Sequence, residues 1–212
     1  MNPYENNLTV EECKEYLDNL RARKIQPYQP IHLYPDFVTK HKGEGFRLRI
    51  DSIKKALGDL DGKHVLDLGC AVGWNLFELA FEGTTGVGVD VSKNSIHTAS
   101  CLAKVYELED KTIFYHMNVV DYVKETDEYF DCIMPLNVLN HVIDQIGYDE
   151  GWKWMNLIST KCDSIITNYY GGVDQHDKNL LKYTEFKNCE VVLKNTPYYN
   201  NMGRRLYRLW NK

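Results

Sequence analysis

The chain lacks the features that would mark it for a membrane or for export. No apolar run approaches the roughly 18 residues that a membrane-spanning helix needs, and the mean hydropathy is −0.46. The segment Met1 to Val10 has neither the basic patch nor the apolar stretch of a secretory signal. We therefore expect a soluble, cytoplasmic protein with no membrane partner.

Metal-binding spacing is also missing. The six cysteines include no C-x-x-C pair and do not combine with histidines into the four-ligand pattern of a structural zinc site. Cys101, Cys132 and Cys162 lie in apolar contexts, where a reduced thiol behaves as a small hydrophobic side chain. We expect no bound metal.

The chain has no excess of positive charge. Its 25 Lys and Arg residues face 30 Asp and Glu residues, which gives a net charge of −5. Proteins that bind nucleic acid usually present a basic face to the phosphates, so this balance favours a small-molecule substrate. Basic residues are nevertheless grouped near the C-terminal end, at Lys187, Lys194, Arg204, Arg205, Arg208 and Lys212.

The N-terminal part predicts a helix followed by a covering segment. Thr9 to Lys24 has helical spacing, with Thr9 as N-cap and Glu12 at the capping-box position. Ile25 to Phe46 is irregular and rich in proline and tyrosine, which indicates a lid or strap over the core. We therefore divide the chain into this extension, residues 1–46, and one main domain, residues 47–212.

Helices and strands alternate in the main domain. Helical patterns are predicted at Arg47–Leu60, Trp74–Phe81, Asn94–Tyr106 and Leu136–Ser159. Strands are predicted at His64–Leu68, Thr85–Val89, Thr112–His116, Phe130–Met134 and Ser164–Thr167. Such alternation implies a doubly wound α/β fold of three layers around a mostly parallel sheet. Two closing strands, Glu190–Asn195 and Arg204–Trp210, predict an antiparallel pairing at the end.

The strongest chemical signal is an apolar strand that runs into a glycine turn and then a helix, VLDLGCAVGW at Val65–Trp74. Glycine at 69 and 73 lets the backbone approach a ligand closely, and the following helix offers free N–H groups to a carboxylate. About twenty residues later a second strand ends in Asp90, where nucleoside-binding α/β folds hold ribose hydroxyls. The pattern G-x-A-x-G differs from the G-x-G-x-x-G of dehydrogenases.

Four segments in this order, VLDLGCAVG, GVGVD, NVVD and YFDCIMPLNVLNHV, resemble the class I S-adenosylmethionine (SAM)-dependent methyltransferase family. The resemblance covers roughly residues 47 to 170. It implies a seven-stranded sheet with a reversed last strand. It also implies that S-adenosyl-L-methionine is the cofactor and S-adenosyl-L-homocysteine (SAH) the product of an in-line methyl transfer.

The resemblance assigns roles to the first two motifs by position. The residues that would surround the methionine part of the cofactor are Asp67, Gly69, Cys70 and Gly73. Asp90 would hold the ribose, with Val91 beside it. The alternatives are that Asp67 only orients the loop and that Asp90 is a solvated acid at a strand end.

The later motifs would complete the site. Asn118 and Val119 would border the adenine, although both Asn118 and Asp121 can be turn residues alone. Leu136 and Asn137 would flank the sulfonium and the acceptor. The candidate catalytic residues are Asn137 and His141, and a histidine packed at a helix start is the alternative for the second.

The acceptor is not named by any motif. Tyr34, Tyr169 and Tyr170 are candidates for stacking on it, and packing at the core edge is their alternative. Our leading hypothesis is a small-molecule O- or N-methyltransferase. An RNA-modifying enzyme, with basic residues ahead of the glycine turn, and a catalytically silent cofactor-binding domain are the alternatives.

Overall fold

A computed structural model describes residues 1–25, 27, 29–31, 43–168, 176–194 and 205–211. The strands are β1 (His64–Leu68), β2 (Thr85–Asp90), β3 (Thr112–His116), β4 (Phe130–Met134), β5 (Cys162–Asn168), β6 (Asn188–Leu193) and β7 (Leu206–Trp210). The helices are α1 (Val10–Ala22), α2 (Gly43–Leu57), α3 (Trp74–Ala80), α4 (Lys93–Val105), α5 (Val119–Glu125), α6 (Leu139–Ile146), α7 (Tyr148–Ser159) and α8 (His176–Lys182). None of these helices is long and apolar enough to cross a bilayer.

The strands form one seven-stranded sheet in the order β3-β2-β1-β4-β5-β7-β6. The pairings from β3 through β5 are parallel, whereas β7 runs antiparallel to both β5 and β6. The predicted fold class, including the antiparallel C-terminal strand, is therefore confirmed. Because β1 lies between β2 and β4, the segments that follow these three strands meet at one edge of the sheet.

Two apolar layers flank the sheet because successive side chains of a strand point to opposite faces. In β1, Val65 belongs to the layer with α2, α3 and α4, while Leu66 belongs to the layer with α5 and α7. All six cysteines are free thiols, and five of them are buried. The sheet edge at which the segments after β1, β2 and β4 meet is supported by an apolar layer on each face of the sheet.

Helix α1 begins at the predicted cap. The Thr9 Oγ1 atom accepts from the Glu12 backbone N–H at 3.2 Å, and the Glu12 carboxylate accepts from the Thr9 N–H at 2.8 Å. The helix packs on α4, where the Tyr16 hydroxyl lies 3.1 Å from the Thr98 hydroxyl. Its buried side chains are Cys13 and Leu17.

The structure corrects several predicted helix boundaries. The stretch predicted as one helix, Leu136–Ser159, is two helices, because Gly147 has a φ of 92° that interrupts the α conformation. Helix α2 begins at Gly43 instead of Arg47. Helices α5 and α8 were not predicted. The sequence of α5, VVDYVKE, is rich in β-branched residues, yet Asn118 caps it into a helix.

Candidate active site

The turn between β1 and α3 contains three residues in the left-handed conformation. Gly69, Ala71 and Gly73 have φ values of 74°, 48° and 83°. A Cβ atom on Gly69 would lie 2.6 Å from the Val138 side chain, and one on Gly73 would lie 2.9 Å from the Phe77 ring. Glycine is therefore required at 69 and 73 for both conformation and space. Ala71 adopts this conformation at a cost of about 1 kcal/mol.

Asp90 ties the turn to the end of β2. Its Oδ2 atom accepts from the Ala71 N–H at 2.9 Å, and its Oδ1 atom accepts from the Ser92 N–H at 2.8 Å. The Gly69 N–H also donates to the Val89 carbonyl at 2.8 Å. The glycine turn and the acid thus lie side by side, and each carboxylate oxygen retains a lone pair for a ligand.

A buried chain of polar groups reaches Asp67 from α2 and α3. Arg49 donates to the Asn75 Oδ1 atom at 3.3 Å, and Asn75 donates to the Asp67 Oδ2 atom at 2.9 Å. Burial raises the pKa of Asp67 to about 7, although the Asn75 hydrogen bond and the Arg49 charge oppose that rise. The Asp67 Oδ1 atom is buried without a hydrogen-bond partner among the described residues.

Gln29, in the segment between α1 and α2, contacts the start of α3. The Trp74 N–H donates to the Gln29 Oε1 atom at 3.1 Å. Both Gln29 and Ile31 are buried. Most of the predicted lid, Ile25–Phe46, lies outside the described residues, so the lid stays a prediction. No motif marked Gln29, because a single glutamine in an irregular segment carries no pattern.

The segments after β2 and β3 carry Val91, predicted to lie beside the ribose, and Asn118 and Val119, predicted to border the adenine. Val91 follows Asp90 and is 64% exposed, whereas Val119 is buried. Asn118 caps α5, since its Oδ1 atom accepts from the Val120 N–H at 2.8 Å. Its amide nitrogen lies 3.4 Å from the Gln145 side-chain oxygen. Because the capping hydrogen bond occupies one lone pair of the Asn118 Oδ1 atom, a second lone pair remains for a ligand.

The segment after β4 turns sharply into α6. Leu136 is buried, and Asn137 is left-handed with a φ of 59°. The Asn137 N–H donates to the Asn168 Oδ1 atom at 2.6 Å, and the Asn168 Nδ2 group donates to the Asn137 Oδ1 atom at 2.6 Å. Sequence reasoning did not find this pairing, which joins the segment after β4 to the last residue of β5.

The remaining candidates are spread more widely. His141 lies in the first turn of α6 with an exposed side chain. Tyr34, Tyr169 and Tyr170 lie outside the described residues. Their predicted contact with an acceptor stays a prediction.

Residues 41–161, more than half of the chain, match the family model of a methyltransferase domain. The chain belongs to the methyltransferase domain family. The family predicted from the four motifs, the class I SAM-dependent methyltransferases, is thereby confirmed.

Curated relatives of this methyltransferase include the ubiquinone biosynthesis O-methyltransferase of Alkalilimnicola ehrlichii, 34% identical over 98 residues that make up 46% of this chain and 38% of the relative. The protein of the same name from Coxiella burnetii is 29% identical over 146 residues, 68% of this chain and 56% of the relative. The O-antigen chain terminator bifunctional methyltransferase/kinase WbdD of Escherichia coli is 29% identical over 136 residues, 60% of this chain and 19% of the relative. The chain therefore spans only part of the length of these relatives.

Solved structures share the fold of this methyltransferase. The crystal structure of WbdD superposes with a TM-score of 0.70 at 24% identity, covering 92% of this chain and 47% of that chain. Magnesium protoporphyrin IX methyltransferase (ChlM) from Synechocystis PCC 6803 with bound SAM superposes with a TM-score of 0.62 at 16% identity, covering 98% and 100% of the two chains. At these identities the likeness concerns the fold alone.

The residues at the carboxyl edge of the methyltransferase fit the chemistry of SAM. The Asp67 Oδ1 atom, which has no hydrogen-bond partner in the part of the chain that the structure describes, is a buried acceptor that suits an ammonium group. Asp90 has lone pairs that suit ribose hydroxyls. The exposed Val91 side chain offers an apolar surface that a purine ring would cover.

Proposed function

We propose that this methyltransferase transfers the methyl group of SAM to an oxygen or nitrogen atom of a small-molecule acceptor. The observation that carries the proposal is the junction of the glycine turn with Asp90, whose Oδ2 atom lies 2.9 Å from the Ala71 nitrogen. This junction places the turn that would bind the methionine part of SAM beside the carboxylate that would bind its ribose, at one edge of the sheet.

The cofactor-binding roles follow the position of each residue in the fold. Backbone groups of the turn, with Cys70 buried beneath it, would face the methionine part. Asp67 would accept from the ammonium group and Asp90 from the ribose hydroxyls. The adenine would lie between Val91 and the start of α5, at Asn118 and Val119, and Leu136 would line the methyl side.

The chemistry supplied by SAM is a methyl group on a sulfonium, which is already a good leaving group. The protein therefore needs above all to align the acceptor with the methyl group and to exclude water. The buried Leu136 and the fixed Asn137 turn suit that task. A general base is needed only where the acceptor must lose a proton, and the exposed His141 is the candidate on α6.

The acceptor class is supported by charge and by the relatives. The chain carries a net charge of −5, and two relatives described above are named as O-methyltransferases of ubiquinone biosynthesis. We infer from these names that an oxygen acceptor is favoured over a nitrogen acceptor. None of the relatives described above supports the RNA-modifying alternative.

Two measurements test this proposal. Calorimetric titration with SAH should show saturable binding, which Asp90→Ala should weaken. Incubation with SAM labelled at the methyl group and fractionated cell extract should place label in the small-molecule pool. Label in RNA or protein would refute the small-molecule acceptor. Tight SAH binding without transfer to any fraction would support the catalytically silent alternative.

We also propose that residues 1–46 form a separate covering extension on the main domain, 47–212, and that its irregular part closes over the cofactor. The buried Gln29 side chain, which accepts from Trp74 beside the glycine turn, supports this idea. SAH should protect residues 25–46 from limited proteolysis, and Gln29→Ala should reduce the protection. Equal cleavage with and without SAH would argue against closure.

A further inference from the structure

A cavity of about 350 Å³ lies at the edge of the sheet opposite the glycine turn. Its walls come from the end of α2, the residue before β1, the first residues of β4 and β5, and the last residues of β7. Its charged lining residues are Lys63, Asp131, Asp163 and Arg208. The cofactor motifs follow the carboxyl ends of the strands, and the seven residues of β5 separate the two edges by about 20 Å.

The two cations of this cavity are weakly paired. The Lys63 Nζ atom lies 3.7 Å from an Asp131 oxygen, and the Arg208 Nη1 atom lies 3.8 Å from a Glu190 oxygen, distances too long for a hydrogen bond. The two cationic side chains are only 29% and 28% exposed. Within the part of the chain that the structure describes, the Arg208 Nε atom is buried without a partner. The cations therefore retain hydrogen-bonding capacity for an anion.

The two acids of the cavity already accept short hydrogen bonds. The Asp131 Oδ2 atom accepts from the His64 N–H at 2.7 Å, and the Asp163 Oδ1 atom accepts from the Tyr129 hydroxyl at 3.0 Å. Their negative charges repel a ligand with one negative charge less than a ligand with two. The planar guanidinium of an arginine also matches the two oxygens of a carboxylate. The charges therefore favour a carboxylate over a phosphate.

Apolar surface lines the same cavity. Leu57, at the end of α2, and Trp210, at the end of β7, both belong to the lining. The Arg208 guanidinium carbon lies 5.2 Å from the centre of the Trp210 ring, so a cation and an aromatic face are presented together. The volume is that of a site for a small organic molecule, larger than a bare carboxylate group would fill. The cavity therefore suits an anion that carries an apolar body.

We propose that this cavity binds a small aromatic carboxylate. Lys63 and Arg208 hold the carboxylate, and the ring lies against Trp210 and Leu57. The site goes beyond the proposed function, because its occupant lies at the other edge of the sheet and does not receive the methyl group.

Benzoate tests the site when it is titrated into the full chain at constant ionic strength. The backbone amide NMR signals of Asp163 and Trp210 should shift saturably, with a Kd on the order of 1 mM, whereas those of Gly69 and Gly73 should not. Saturating SAH should leave this Kd within about twofold, since the two sites are separate. Absence of a saturable shift, or shifts at the glycine turn instead, would overturn the proposal.

Three related compounds test the chemical class of the ligand. Acetate lacks the ring and benzyl alcohol lacks the charge, so each should bind at least about tenfold more weakly than benzoate. Phenyl phosphate is mostly dianionic above about pH 7 and should also bind more weakly. Tighter binding of phenyl phosphate, or equal binding of benzyl alcohol, would contradict the assignment to a carboxylate.

Two variants test the cations. Lys63→Gln and Arg208→Gln should each raise the benzoate Kd at least about tenfold, because a charge-assisted hydrogen bond is lost. Lys14→Gln and Arg23→Gln, the same changes at exposed positions, are the matched controls and should leave this Kd unchanged. SAH affinity reports whether each variant is folded, and Lys63, which lies outside the strands, keeps the test valid if Arg208→Gln does not fold. An unchanged Kd in folded Lys63→Gln, or an equal loss in the controls, would overturn the proposal.

Discussion

The buried carboxyl group of Asp67 should make cofactor affinity depend on pH. Burial raises its pKa to about 7, and its Oδ1 atom lacks a partner among the described residues. If the cofactor ammonium binds the ionised form, a protonated Asp67 must first release its proton. The apparent Kd then grows as 1 + 10^(pKa − pH), which gives a weakening of about fiftyfold between pH 7 and pH 5.

The assay is calorimetric titration with SAH from pH 5 to pH 7, a range below the titration of most α-amino groups. Asp67→Asn should bind more weakly at pH 7 and should lose most of the pH dependence. Asp131→Asn, at the opposite edge of the sheet, is the matched control and should retain it. A wild-type Kd that changes less than about threefold over this range would refute the reasoning.

The Asp67 carboxyl group should also make the stability of the ligand-free protein depend on pH. The unfolded carboxyl ionises near its model value of 3.8, whereas the folded one stays protonated up to about 7. The contribution of Asp67 to wild-type stability should therefore fall as pH rises from about 4 to about 7. Between pH 4 and pH 8, the free energy of unfolding of Asp67→Asn, measured in urea, should rise by up to about 4 kcal/mol relative to that of the wild type. A pH-independent difference would contradict the raised pKa.

Three further changes test the site and its support. Asp90→Ala should weaken SAH binding by about 1 to 3 kcal/mol in calorimetry, since hydrogen bonds to a charged group are lost; unchanged affinity would mean that the ribose lies elsewhere. Gly73→Ala should lower the unfolding temperature more than Gly58→Ala, because both glycines have positive φ but only the first would clash, with the Phe77 ring. An equal loss in the two variants would rule out the clash. Thr9→Ala should cost about 1 kcal/mol in urea unfolding by removing the capping box of α1, and no loss would show that the cap is dispensable.

Local patterns predicted most of the sheet. The strands β1, β3 and β4 have the predicted bounds, because short apolar runs bounded by turn residues are recognisable without tertiary context. The capping box at Thr9 was predicted for the same reason, since its hydrogen bonds span only three residues. The glycine turn and Asp90 were assigned to one site because their spacing of about twenty residues is typical of nucleoside-binding α/β folds.

Two features of the helices were missed although their causes are local. Helix α5 was missed because its β-branched residues favour a strand until Asn118 caps it, and the break at Gly147 was missed because glycine within a helical pattern is ambiguous.

The sequence by itself determined the order of the strands, the cofactor motif and the carboxylate beside it, since each of these depends on neighbours along the chain. Only the tertiary structure decided the environment of Asp67 and the orientation of Asn137. The first depends on Asn75 and Arg49 from two helices, and the second on Asn168 from the next strand. Burial and hydrogen bonds between residues far apart in sequence are properties of the packed chain, so no local pattern can encode them.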